Sequence, residues 1–388
     1  MTTVTATTNP LPLLEALIRC PSITPEEGGA LTLIEEILKP FGFQTVRLPF
    51  GEVDNLFARL GTGQPHLCFA GHTDVVPPGA VEDWKHAPFA AEIVSGFLYG
   101  RGASDMKGSI AAFLAAAIDV AKAYGPNLPG SLSFLITGDE EGPALNGTVK
   151  VLEWMHANGQ IPDHCIVGEP TCSEVPGDTI KIGRRGSISF SVLCEGVQGH
   201  VAYPQRADNP VPKLARLVDL LSTRKIDGGN ENFDPSSLVV TSFDVANTVG
   251  NIIPPRAFAR FNIRYNTSQT FETLTAWVQA RIDDVKETLG GRFTLDAYPG
   301  SEAFLTNPGE FVDIVQTAIQ ELTGVNPQLS TSGGTSDARF IRNYCPVLEF
   351  GPSNATVHQV DERISIEELK TTADIYRRIA EKYFESAA

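Results

Sequence analysis

Five short segments of this chain carry residue types that hold metal ions and move protons. They are GHTD (His72, Asp74), GRGASD (Asp105), GDEEG (Asp139, Glu140, Glu141), GEP (Glu169) and VHQVDE (His358). The first four read as strand exits. In open α/β sheets, ligands bind beyond the carboxyl ends of the strands. One histidine and several carboxylates converging at one edge suit a divalent metal, and mixed nitrogen and oxygen ligands suit zinc. In extended backbone, His72 and Asp74 face the same way. Asp74 is therefore expected to accept a proton from the second ring nitrogen of His72. Two glutamates directly after the apolar run LSFLIT crowd like charge at a strand end. A metal relieves this for one of them and leaves the other free to act as a base. Singly, each motif is weak: an HxD fits an exposed turn, and Glu169 before Pro170 fits a simple turn. His358 completes the set only if the chain returns to the same sheet edge.

The elements that must position these residues alternate in type. Residues 11–20 and 28–39 read as helices, and residues 66–76 as a buried strand entering a loop. Residues 109–125 form a helix of strong formers, 131–141 a second buried strand, 146–157 a helix and 164–170 another strand. Buried apolar strands separated by helices indicate an α/β fold, a central mixed sheet flanked by helices. Near residue 180 the pattern changes. Strands at 179–196, 236–245, 257–265 and 292–298 enclose helices at 210–223 and 271–289. This is the β-α-β-β-α-β order of a ferredoxin-like α+β unit. Residues 1–180 and 295–388 are expected to form the metal-binding domain, with 181–294 inserted in it. A helix at 365–384 closes the chain.

The length of 388 residues and a 42% hydrophobic content allow substantial cores and exclude a wholly disordered chain. The formal charge of -16 disfavours a phosphate backbone as partner. Six cysteines without a CxxC pair read as reduced and mostly buried, which fits a cytoplasmic protein. The opening MTTVTATTNP has neither a basic nor an apolar leader region. The most apolar run, 109–125, is broken by Asp119 and Lys122, and reads as too short and too charged to span a bilayer. No membrane association is expected. His66, His86, His156 and His164 read as structural or surface residues, and Cys68 and Cys165 as core.

Taken in order, GHTDVVPPG, GRGASDMKG, TGDEEG, GEP, GRRGS, GVQGHVAYP, NIIP, SGGTSDARF and the late His358 resemble the co-catalytic zinc aminoacylase/carboxypeptidase family over essentially the whole chain. The resemblance implies two divalent ions, zinc or in one site cobalt. His72 and Glu169 would hold one ion, Glu141 and His358 the other, and Asp105 would bridge them. Glu140 matches the general base and Asp74 the residue that orients His72. The inserted domain is implied to dimerise, and His200 matches a histidine that reaches the partner subunit's site. Arg184, Ser187, Tyr203, Asn251, Arg264, Gly334 and Thr335 match substrate contacts. One of Arg184 and Arg185 is expected to lie on a solvated strand face. The implied substrate is a small acylated amino acid, N-succinyl-LL-2,6-diaminopimelate first and N-acetylornithine as the alternative. A binding member that has lost its metal would lack ligands that are all present here. No GxGxxG follows the first strand, which sets a dinucleotide-binding enzyme aside.

Overall fold

The computed structural model describes residues 7–386. The first six residues, part of the opening read as lacking a leader, lie outside them. The chain forms two compact units. One runs up to Ile182 and adds Thr306–Ser330 and everything from Ser336; the other is Gly183–Leu305 with Thr331–Thr335.

The first unit is built on an eight-stranded mixed sheet. Its spatial order is Gln44–Arg47, Leu56–Gly61, Ser131–Thr137, His66–His72, His164–Val167, Val347–Glu349, Thr179–Lys181 and Gln328–Ser330. The four central strands run parallel. Strands Ser131–Thr137 and His66–His72 are buried along their whole length, which is why they show no polar alternation. Register sets His72 beside Thr137 and Ala70 beside Val167, so the GHTD, GDEEG and GEP turns leave the sheet side by side.

Helix Lys107–Tyr124 packs on this sheet, with Phe113 stacked on Phe69 at 4.3 Å and Tyr376 of the C-terminal helix Ile366–Glu385 at 4.2 Å from Phe113. Two glycines permit the helix start to come close. A Cβ on Gly71 would meet Met106 at 2.5 Å, and one on Gly168 would meet Ser109 at 2.6 Å. That approach brings Asp105 to the sheet edge. The helix with its following turn is long and apolar enough for a bilayer span, which corrects the reading from Asp119 and Lys122. Lys107 through Ile118 are all buried within the first unit, as expected for a core helix.

The second unit is a four-stranded antiparallel sheet in the order Ser237–Asp244, Arg256–Tyr265, Gly186–Glu195, Arg292–Pro299. Helices Pro210–Thr223 and Phe271–Leu289 bury Leu214, Leu217, Leu274 and Val278 against Phe190, Val192 and Phe261. The first helix starts on Asn209, whose side chain accepts from the Val211 amide, with Pro210 in the first turn. The chain leaves this unit at 305 and not near 295. Strand Arg292–Pro299 pairs along Ile188–Glu195, and Phe304–Leu305 pairs with Gly183–Arg184, so both are stitched to it.

Candidate metal centre

His72 ends its strand and is 1% exposed. Its Nδ1 donates to the backbone oxygen of Asp74 at 2.8 Å, which turns Nε2 toward the carboxylates. Nε2 lies 3.2 Å from Asp105 Oδ1 and 3.9 Å from Glu169 Oε1. On the other side, His358 Nε2 lies 2.8 Å from Glu141 Oε1 and 3.4 Å from Asp105 Oδ2. Asp105 therefore offers one oxygen to each histidine. The ligand atoms of His72, Asp105 and Glu169 lie within 4.8 Å of one another, and so do those of Asp105, Glu141 and His358. A third such set, His72, Glu140 and Glu141, overlaps both.

The donor chemistry fits a divalent cation. Each of the two triads sharing Asp105 has one imidazole and two carboxylates, a set suited to zinc. Glu169 Oε1 is buried and has no hydrogen-bond partner among the described residues. A buried carboxylate oxygen without a partner is costly unless an ion meets it.

Proton affinities carry the same message. Burial lifts Glu169 well above the usual carboxylate range, and the charges of Asp105 and Glu140 add to the lift. Burial, then Asp337, Glu141 and Asp105, push Glu140 up to about 8 against the pull of His72. Hydrogen bonds to Asp105 and Glu141 push His358 up to about 10. Burial pulls His72 down, but Asp105 and Asp74 outweigh it and leave the imidazole well above its ordinary value. Negative charge is in excess here, and without a cation protons must balance it.

Asp74 differs from its expected geometry. Its carboxylate is 3.6 Å from His72 Nδ1, while its own backbone oxygen makes the close contact. The carboxylate instead accepts from the amides of Glu140 and Glu141 at 3.3 and 3.1 Å and from the Thr24 hydroxyl at 2.8 Å. It shapes the turn that carries both glutamates. Asp139 is turned away and accepts from the amides of Leu145 and Asn146.

The residues matched to substrate contacts all lie in the second unit. Arg184 donates to the backbone oxygens of Ser332 and Gly334, at 3.4 and 3.1 Å, and so holds the turn containing Gly334 and Thr335. Ser187 faces Arg264 across paired strands, and Asn262 donates to its hydroxyl at 3.1 Å. Burial lowers the Arg264 guanidinium, and the charge of Arg185 lowers it further. Arg184 is buried and Arg185 half-buried, although the Arg185 Nε itself is buried without an acceptor among the described residues. His200 is exposed on a two-residue strand beside Ile252, and its Nδ1 accepts from the Ala202 amide. Tyr203 is exposed near it, and the Asn251 backbone oxygen accepts from Val201.

Comparison with known proteins gives these clusters a context. Residues 68–382 match peptidase family M20/M25/M40. The chain belongs to this family. A Methylorubrum populi protein named succinyl-diaminopimelate desuccinylase is 52% identical over 384 residues, covering 97% of this chain and 99% of its own. A Caulobacter vibrioides protein of the same name is 51% identical over 385 residues, covering 99% of this chain and 98% of its own. Among solved structures, the aminopeptidase PepT of Bacillus cereus superposes with a TM-score of 0.79 at 19% identity, covering 97% and 98% of the two chains. A Bacillus subtilis M20 peptidase described as dinuclear and metal-binding gives 0.74 at 16% identity, covering 96% and 97%. These two likenesses fix the M20 peptidase fold.

Several residues of this M20/M25/M40 site escape a reading of motifs. Thr24 and Asp337 have no spacing that marks them. Asp337 lies in SGGTSDARF, and only the fold buries its carboxyl where its charge raises the proton affinity of Glu140. The other four histidines are accounted for structurally. His66 bonds Ser133 and is held down to about 3 by burial, His86 pairs with Glu92, His164 bonds Tyr383, and His156 lies beside Tyr344. All six cysteines are free thiols, and five of them are buried.

Proposed function

We propose that this protein hydrolyses the amide of N-succinyl-LL-2,6-diaminopimelate, giving succinate and LL-2,6-diaminopimelate. The observation that carries the proposal is 52% identity to a named desuccinylase across nearly the full length of both chains. The two triads sharing Asp105 support it independently. His72, Asp105 and Glu169 would hold one divalent ion, and Asp105, Glu141 and His358 the other, with zinc favoured by the donor set.

When bound, the two ions would acidify the attacking water and polarise the scissile carbonyl. Glu140 takes the proton from that water as general base. It then delivers the proton to the leaving amine as the C–N bond breaks. Asp74 keeps Glu140 and Glu141 in place through their backbone amides. The substrate has three carboxylates, and the chain is acidic overall, so local guanidinium groups must hold them. Arg184 and Arg264 take that role in this reading, with Ser187, Tyr203, Asn251, Gly334 and Thr335 as further substrate contacts. The active protein is a cytoplasmic homodimer in which His200 steadies the tetrahedral oxyanion in the partner subunit's site.

The test is a substrate panel on zinc-loaded protein. Turnover of N-succinyl-LL-2,6-diaminopimelate is expected to exceed that of N-acetylornithine by orders of magnitude. Faster deacetylation would overturn the substrate assignment and leave the amidohydrolase reading standing.

Metal uptake is expected to depend on pH with a definite sign. His358, held up to about 10, and Glu140, held up to about 8, keep their protons at neutral pH in the stripped protein. A cation must displace them. Apparent zinc affinity therefore rises with pH between 6 and 8, by up to about tenfold per unit for each proton released. Calorimetric titrations in buffers of different ionisation enthalpy measure the protons directly. A flat profile would contradict the assignment.

A further inference from the structure

Glu362 lies four residues beyond His358 and has no exposed surface. Its carboxylate is fully engaged by one segment, Arg101–Asp105. Oε2 accepts from Arg101 Nη1 at 2.7 Å and from the Gly102 amide at 3.0 Å. Oε1 accepts from the Ser104 amide at 2.9 Å and the Asp105 amide at 3.0 Å. The Arg101 side chain is 3% exposed and also donates to the backbone oxygen of Gln359, the residue after His358, at 3.3 Å. One buried ion pair thus ties the segment bearing Asp105 to the segment bearing His358.

That second segment needs tying. His358 and Asp361 both have left-handed backbone, with φ of 60° and 57°. Such conformations are unfavourable for non-glycine residues and persist only where neighbours hold them. His72, by contrast, stands at the end of a buried central strand, and Glu169 follows two residues after another. A buried ion pair adds little net stability over an apolar pair of the same shape. What this pair supplies is register between two loops.

We propose that Glu362, anchored by Arg101, is a positioning residue that holds Asp105 and His358 in the arrangement required by the ion of the Asp105–Glu141–His358 triad. The proposal rests on the two-ion reading given above. It predicts an asymmetry between the sites. The ion of the His72–Glu169 side keeps two ligands carried by the sheet, whereas the other depends on both loops that Glu362 joins.

The test uses the full chain, stripped of metal and titrated with zinc by calorimetry. In Glu362→Gln, a single side-chain oxygen remains, so an NH2 group must face one pair of N–H donors. We expect one of the two binding events to weaken by about 10- to 100-fold and the other to change less than about threefold. His358→Ala should lose the same event, and His72→Ala the other. Because Glu362→Gln leaves Arg101 buried without its partner, the double variant Arg101→Gln/Glu362→Gln is measured beside it. With both charges gone, melting temperature should recover toward that of the parent while the selective loss of affinity persists. Unchanged binding in a folded variant overturns the proposal. So does an equal loss at both sites that recovers together with stability in the double variant. A parent protein that binds fewer than two ions overturns the two-ion reading itself, and this inference with it.

Discussion

Replacing Glu140 by Gln is expected to leave both zinc ions bound and to lower kcat on N-succinyl-LL-2,6-diaminopimelate by about 10²- to 10⁴-fold, the usual share of a general base. The argument starts from position. Glu140 belongs to the overlapping set with His72 and Glu141, but to neither triad that shares Asp105. Its side chain has no hydrogen-bond partner among the described residues, and it is partly open to water. Its backbone amide is held by Asp74, so the carboxyl is presented without being consumed. In the metal-free chain burial and neighbouring carboxylates raise its proton affinity to about 8, and the cation that displaces this proton leaves the carboxylate free to act as a base. Glutamine keeps the shape and the local packing but cannot accept that proton. An interaction made only in the transition state lowers kcat and kcat/KM together, so KM should change little. Metal content by elemental analysis separates the alternatives. Loss of one ion would make Glu140 a ligand, and full turnover with both ions present would remove it from the mechanism.

The residues that the structure gathers into the candidate metal centre were largely legible because most of them sit at strand exits. Apolar runs such as SLSFLIT announce buried strands, and whatever follows them is delivered to one sheet edge. His72, Glu140, Glu141 and Glu169 are of this kind. What the sequence hid is which group touches which once the strands are in register. His72 beside Thr137 brings the GHTD and GDEEG turns together, so the Asp74 carboxylate meets two backbone amides while its carbonyl takes the imidazole. Periodicity cannot separate a side-chain acceptor from the backbone acceptor of the same residue. Glu362 and Arg101 are 261 positions apart, and their pairing depends on the chain returning to the first unit. In the second unit, residue type and spacing treat Arg184 and Arg185 alike. Backbone geometry alone sends Arg184 to carbonyl oxygens and leaves Arg185 beside Arg264. The return of the chain at 305 is hidden from the sequence for a similar reason. A strand's membership in a sheet is decided by its partner, and strand Arg292–Pro299 has its partner a hundred residues earlier.

Stripping the metal is expected to abolish turnover, to lower the melting temperature of the first unit by about 15 °C, and to be reversed in both respects by zinc. The size follows from mass action: free ion at about 1,000 times its Kd stabilises a binding site by about 4 kcal/mol, which for a unit of this size is several degrees per site. The direction follows from the charges. Asp105, Glu140, Glu141 and Glu169 converge on two imidazoles, and Glu169 Oε1 is buried without a hydrogen-bond partner among the described residues. Without the ions, that excess of negative charge is relieved only by taking up protons, which is why His358, Glu140 and Glu169 all shift toward their protonated forms. Zinc replaces those protons, so the stabilisation at fixed free zinc should be larger at pH 8 than at pH 6. Among the described residues, all of the candidate metal-holding groups lie in the first unit. If calorimetry resolves two transitions, only that of the first unit should move. Persistent turnover after metal content has fallen to background, or a melting temperature indifferent to zinc, would mean that these carboxylates are paired in some other way and that the hydrolysis does not depend on them.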